Sequence, residues 1–106
     1  MLPAIDEQHV TDMHGNPAGG TTSSVGMVIN WQDGPLGRNG ERQEPNGAFV
    51  EGVIAAAIGR LEYYQHSKFH CVENAVALGH LRAALEVLKE RTRGREARQV
   101  EGTHAV

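Results

Sequence analysis

The sequence predicts an α+β fold, a small N-terminal antiparallel β-region followed by a long antiparallel two-helix hairpin that assembles as an oligomer. Three observations carry this. Turn-forming residues and most of the thirteen glycines lie before residue 52. Between Val25 and Trp31, apolar Val25, Met27, Ile29 and Trp31 alternate with smaller or polar neighbours, the period of a half-buried strand. Beyond residue 47 the apolar positions change to a spacing of three and four, the period of a helix face.

Taken in order, Gly15-Asn16-Pro17 and Gly19-Gly20 are turn signals, and Thr21 to Trp31 is rich in β-formers. Asp33-Gly34-Pro35 ends that strand. Residues 37–46 form a connection with a short pairing strand expected around Glu41 to Gln43. Asn46 reads as the N-cap of a first helix running to about His66. Phe49, Val50, Val53, Ile54, Ala57, Ile58, Leu61 and Tyr64 give that helix a broad apolar face. A break near Ser67-Lys68 leads to a second helix, about Cys71 to Arg98, with the stripe Ala75, Leu78, Leu81, Leu85 and Leu88. Two long helices joined by a few residues make an antiparallel hairpin. The domain reading is therefore residues 1–46, a β-region with its connecting loop, and residues 47–104, a helical hairpin with a basic end. An isolated hairpin of this size buries too little apolar surface, which predicts oligomerisation.

Charge is placed unevenly on a chain of 106 residues and formal net charge -3. Residues 1–48 carry six acids against Arg38 and Arg42, a balance of -4, whereas Lys89 to Arg98 holds five bases against two acids, a balance of +3. A local basic cluster on an acidic chain favours a discrete anionic ligand over a long polyanion, which demands an extended basic stripe. The single cysteine, Cys71, leaves no intrachain disulfide and fits a reducing compartment. No apolar run approaches the roughly 18 residues of a membrane span, and the first residues lack the pattern of a signal peptide. A soluble intracellular protein without membrane contact is expected.

The leucine stripe of the second helix is expected to continue into Arg91 and Arg95, which lie three and four residues onward along one face. Arginine is suited to phosphate because its planar fork donates paired hydrogen bonds and stays charged. A cluster at a helix C-terminus also complements the helix dipole, which the charge pattern alone fits equally well. Tyr63, Tyr64 and Phe69 gather aromatic surface at the hairpin turn, either for core packing or for stacking on a base, a contact worth about 1–3 kcal/mol. Asn74 fits a capping amide as well as a reader of a base edge. Asn74 and Arg91 are seventeen residues apart in the sequence, about 25 Å along a helix. One small nucleotide contacts both only if the two ends come from different chains, as in a twofold dimer with two identical sites.

His66, His70 and Cys71 straddle the helix break, with no further cysteine pair or acid to complete a tetrahedral set, so no metal is expected. Cys71 has no base with an orienting partner, Ser23, Ser24 and Ser67 lack a triad, and Gly15 to Gly26 lacks a phosphate-loop pattern. Neither catalysis nor a cofactor is expected.

Three segments resemble a known family: Arg60-Leu61-Glu62-Tyr63-Tyr64-Gln65, Glu73-Asn74-Ala75-Val76-Ala77-Leu78, and Arg91-Thr92-Arg93-Gly94-Arg95-Glu96-Ala97-Arg98 continuing through Gln99-Val100-Glu101-Gly102-Thr103-His104. They are similar to the helical hairpin domain of phage cyclic-nucleotide sponges, the anti-CBASS and anti-Thoeris proteins that sequester an immune messenger without degrading it. The front half, Ile29 to Gly37 and Asn46-Gly47-Ala48-Phe49, is similar to the anti-Thoeris branch. The resemblance implies a homodimer, assembled further as a trimer of dimers, in the cytoplasm of an infected bacterium. It implies glycocyclic ADP-ribose at the dimer interface, with Tyr64, Asn74, Arg91 and Arg95 as ligand-contacting residues. It also implies a second pocket for cyclic oligonucleotides, assigned to Arg98, Gly102 and Thr103. Gln99 stands where many relatives carry glycine. The alternative reading is a helical-hairpin oligomer that binds nucleic acid through its arginine cluster.

Overall fold

A computed structural model describes residues 2–34, 36–38, 41–42 and 44–97. Three strands, β1 (Asp6–Thr11), β2 (Pro17–Ser24) and β3 (Met27–Asn30), form an antiparallel sheet in the order β1-β2-β3. A two-stranded ribbon follows, β4 (Gly37–Arg38) with β5 (Glu41–Arg42). Two helices complete the chain, α1 (Val50–Gln65) and α2 (Val72–Ala97). This is the expected α+β fold. The chain divides into two compact units, with Val50–Ala97 as one and the residues through Phe49 in the other.

The single strand expected from Thr21 to Trp31 is a hairpin. β2 and β3 pair from Thr21 with Asn30 to Ser24 with Met27, and Val25-Gly26 make the reversal. Gly26 takes φ +81 there, a conformation that costs a residue with a Cβ. The strand β1, which had no apolar alternation to announce it, is exposed along its whole length and is held by pairing with β2. Asp12 closes their connection, its Oδ1 accepting from the N–H groups of His14 (2.9 Å) and Asn16 (3.0 Å). The indole Nε1 of Trp31 donates to Oγ1 of buried Thr22 at 2.7 Å, so the sheet's buried hydroxyl is satisfied.

Asn46 is not a helix cap. Its Oδ1 accepts from the N–H of Asp33 (2.8 Å) and its Nδ2 donates to the Asp33 carbonyl (2.9 Å). Gln32 answers from the other side: its Oε1 accepts from the N–H groups of Asn46 (2.9 Å) and Gly47 (3.2 Å). Two side-chain amides thus lace residues 32–34 to residues 46–47. The segment then runs beside β3's exit, with Ala48 N–H on the Asn30 carbonyl (2.7 Å) and Gln32 N–H on the Ala48 carbonyl (3.0 Å). Gly47 permits this approach, because a Cβ there would lie 2.5 Å from the Trp31 carbonyl carbon. α1 consequently starts at Val50, three residues later than a cap at Asn46 would set it.

In the hairpin, Ile58 of α1 and Leu78 of α2 are buried. Val53, Ile54 and Leu61 on one side, and Leu81, Leu85 and Leu88 on the other, are half-buried beside them. Glu62 accepts from Arg82 across the pair at 2.9 Å. Ala75, expected on the stripe, is exposed; Asn74 and Ala77 hold the half-buried positions of that turn. Val72, Val76 and Val87 of α2 are exposed, at 74%, 54% and 68%, so α2 carries a second apolar stripe that α1 leaves uncovered. Among the described residues, no helix is long and apolar enough to cross a membrane.

Candidate ligand-binding site

The reversal between α1 and α2 is built from side-chain-to-backbone bonds. The Gln65 amide donates from Nε2 to the Cys71 carbonyl and accepts at Oε1 from the Cys71 N–H, both at 3.0 Å. Ser67 Oγ donates to the Tyr64 carbonyl (2.6 Å) and accepts from the Phe69 N–H (3.1 Å). Cys71 takes the cap position of α2: its Sγ accepts from the Asn74 N–H at 3.4 Å, and its carbonyl accepts the first helical bond from Ala75. Asn74 Nδ2 reaches back to the Phe69 carbonyl at 3.3 Å.

These bonds bring Tyr64, Phe69 and Asn74 together as the described lining of an open cavity of ≈ 360 Å³. Two of the residues expected to contact a ligand, Tyr64 and Asn74, thus share one wall within a single chain. Phe69 adds a ring that is 65% exposed, available for a flat partner. Behind Tyr64 stands Arg60, which the sequence reading did not weigh. Its Nε donates to Tyr64 Oη at 3.1 Å, and its guanidinium lies 4.9 Å from both the Tyr63 and the Tyr64 ring centroids. The bond to Tyr64 holds the Arg60 pKa above its ordinary value. Spacing of three and four residues in Arg60, Tyr63 and Tyr64 was the available signal.

The arginines lie elsewhere. α2 has 26 residues and α1 has 16, so the last part of α2, about 15 Å at 1.5 Å per residue, has no counterpart on α1. Arg91 is exposed on this overhang, and it is Thr92 that continues the half-buried seam after Leu88. The expected run of the seam into Arg91 is therefore corrected: Arg91, four residues after Val87 and three after Leu88, borders the outer apolar stripe. Arg95 falls within α2, and its side chain lies outside the described residues, as do Arg98, Gly102 and Thr103. Neighbouring bases are already occupied. Arg93 bonds Glu90 and lies 3.7 Å from Glu86, and Lys89 lies 3.6 Å from Glu86. The Glu90 bond, with charge from Glu90 and then Glu86, raises the Arg93 pKa. Among the described residues Arg91 makes no ion pair.

His66 and His70 each turn Nδ1 to a backbone carbonyl, of Glu62 (2.8 Å) and Ser67 (2.9 Å). Among the described residues no group of three or more His, Cys, Asp or Glu could hold a metal ion.

A two-helix hairpin with an aromatic cavity at its reversal and arginines on its longer helix defines a class. The family model described as "Acb2/Tad1, hairpin domain" matches residues 24–93, and the chain belongs to that family. It is 40% identical over 105 residues to Thoeris anti-defense 1 of Bacillus phage SBSphiJ7, an alignment spanning 96% of this chain and 71% of the relative.

Proposed function

We propose that this chain is a phage anti-defence protein that captures a cyclic nucleotide immune signal, glycocyclic ADP-ribose or a cyclic di- or trinucleotide, and holds it without cleaving it. The observation that carries this is the cavity of Tyr64, Phe69 and Asn74, whose rings and amide suit a base and its edge. At ≈ 360 Å³ it lies near the lower end of small-molecule sites, roughly 300–1,000 Å³. It is open, so a dinucleotide-sized ligand requires further walls.

A second copy of the chain supplies them in this reading. The exposed stripe of Val72, Val76 and Val87 packs on its twin in an antiparallel homodimer. Arg91 and Arg95 of one protomer then meet the aromatic end of the other, clasping the phosphates. Three such dimers form a hexamer, in which Arg98, Gly102 and Thr103 contribute to a second pocket. The protein acts in the cytoplasm of the infected bacterium and uses no cofactor. Capture is useful only if tight, near nanomolar or about -12 kcal/mol.

The nucleic-acid reading is weakened by the pairing of Lys89 and Arg93 with Glu86 and Glu90, which leaves few bases for a phosphate backbone. Calorimetric titration with glycocyclic ADP-ribose and a panel of cyclic nucleotides tests the proposal. Binding near one ligand per chain, lost in Arg91→Ala/Arg95→Ala, with intact ligand recovered after heating, supports it. No binding by any member of the panel overturns it, and a cleaved ligand makes the protein a hydrolase instead.

A further inference from the structure

We infer that Arg60 is a positioning residue for the nucleotide cavity: it clips Tyr64 into the orientation that forms the cavity wall. The inference rests on the ligand-capture reading above and adds a residue that the reading does not contain. Helix geometry supplies the first reason. At 3.6 residues per turn, positions three and four onward fall about 60° to one side and 40° to the other side of a residue. Arg60 therefore stands between Tyr63 and Tyr64 on the surface of α1, where one guanidinium faces both rings.

The contacts follow that geometry. Nε–H donates to Tyr64 Oη at 3.1 Å, and the planar fork lies 4.9 Å from each ring centroid. The rings themselves are 6.1 Å apart and tilted by 55°, an angle that leaves room for the fork over both. Arginine stacks on aromatic faces and donates in its own plane at the same time, which lysine does not. Among the described residues no carboxylate pairs with Arg60, although the chain has thirteen acids. Its partners are the aromatic rings, one of which lines the cavity.

The consequence is preorganisation. A half-buried tyrosine at a helix end has several rotamers, and an unheld ring must be ordered by the ligand. Held by Arg60, Tyr64 meets the ligand already in place. Loss of the clip weakens binding by roughly three- to tenfold, the cost of ordering one side chain on association. Arginine keeps its charge throughout the ordinary pH range, so the clip is not switched by protonation of Arg60.

The experiment is titration of glycocyclic ADP-ribose into wild type, Arg60→Met, Arg60→Lys, Tyr64→Phe and Arg60→Met/Tyr64→Phe. The expected result is a three- to tenfold loss in each single variant, Arg60→Lys included, and no further loss in the double variant, because both changes cut one bond. Wild-type affinity in Arg60→Lys, or multiplied losses in the double variant, would overturn the inference. So would a fall in helix content or thermal midpoint of Arg60→Met large enough to account for the weaker binding. A ligand-free readout stands beside it. In a proton–nitrogen correlation spectrum the Arg60 Nε–H resonance should be displaced from the ordinary arginine position by its bond to Tyr64 Oη and by the neighbouring rings, and should return to that position in Tyr63→Leu/Tyr64→Leu. An undisplaced resonance refutes the clip whether or not the ligand binds. If wild type binds nothing while the displacement is present, the capture reading fails and the clip stands as a property of the cavity alone.

Discussion

Substituting Gly47 by alanine should unfold the β-unit at lower denaturant while leaving the helices almost untouched. A Cβ at Gly47 would lie 2.5 Å from the carbonyl carbon and oxygen of Trp31 and 2.7 Å from the Asn30 carbonyl oxygen, all of them backbone. None is the end of a flexible side chain, so the segment must move away. Overpacking of this kind costs about 1–3 kcal/mol. The displacement also stretches the bonds Ala48 N–H to Asn30 O (2.7 Å) and Gly47 N–H to Gln32 Oε1 (3.2 Å), each worth about 1 kcal/mol. The total is roughly 2–4 kcal/mol. Trp31 is the sole tryptophan and lies at the contact, so urea unfolding followed by its fluorescence reads the β-unit directly. With a slope near 1–2 kcal/mol per molar for a unit this small, the midpoint should fall by at least about 1 M. Gly52→Ala is the control: nothing lies within 4 Å of a Cβ there. In an exposed helix it should raise the midpoint seen by far-UV circular dichroism, gaining about 0.5–1 kcal/mol. If Gly47→Ala proves insoluble, Asn46→Ala, which removes the two Asp33 bonds, should show the same selective loss at about half the size. Equal stability of Gly47→Ala and wild type by Trp31 fluorescence would refute the reasoning.

Other outcomes follow from the proposed capture and from the packing around it. Arg91→Ala should weaken ligand binding by roughly 10–150-fold, the equivalent of about 1.5–3 kcal/mol for a charged hydrogen bond. Arg93→Ala, removing a guanidinium already engaged by Glu86 and Glu90, should change it less than about threefold in the same titration. Phe69→Ala should cost about 1–3 kcal/mol of binding if its ring stacks on a base, with an unchanged thermal midpoint because the side chain is 65% exposed. Gln65→Ala should speed hydrogen exchange at the Cys71 amide and lower stability by about 1–2 kcal/mol through loss of two bonds. Thr22→Val should leave the Trp31 indole N–H without its acceptor, costing about 1–3 kcal/mol and shifting Trp31 emission.

The helices were legible because their apolar residues repeat at the spacing the backbone imposes, and Leu78, Leu81, Leu85 and Leu88 do lie on the inner face. β1 was not legible, since Asp6 to Thr11 is exposed on both faces and has no alternation to betray it; only pairing with β2 makes it a strand. The β2–β3 reversal was hidden by Val25, a strand former seated in a turn beside Gly26. Asn46 has the residue type of a helix cap, but its partners, Asp33 and Gln32, lie thirteen and fourteen positions away, beyond the reach of any local pattern. The aromatic cavity was readable from Tyr64 and Phe69 at the helix break, whereas the Arg60 contact needed three residues to be weighed as one face. Arg91 follows Leu88 by three residues, which suggests the seam, but it also follows Val87 by four, which sets it at the border of the outer stripe.

The paired bonds between Gln65 and Cys71 make the helix reversal a fastened buckle. Tyr64 lies one residue before the buckle and Asn74 three residues after it, so their separation is set by the fastening rather than by the intervening letters. Lys68, Phe69 and His70 can therefore be exchanged as an interchangeable cassette without respacing the two residues that flank it. If the proposed capture holds, a phage confronting a new messenger can alter its grip there, three codons at a time, on an unchanged frame.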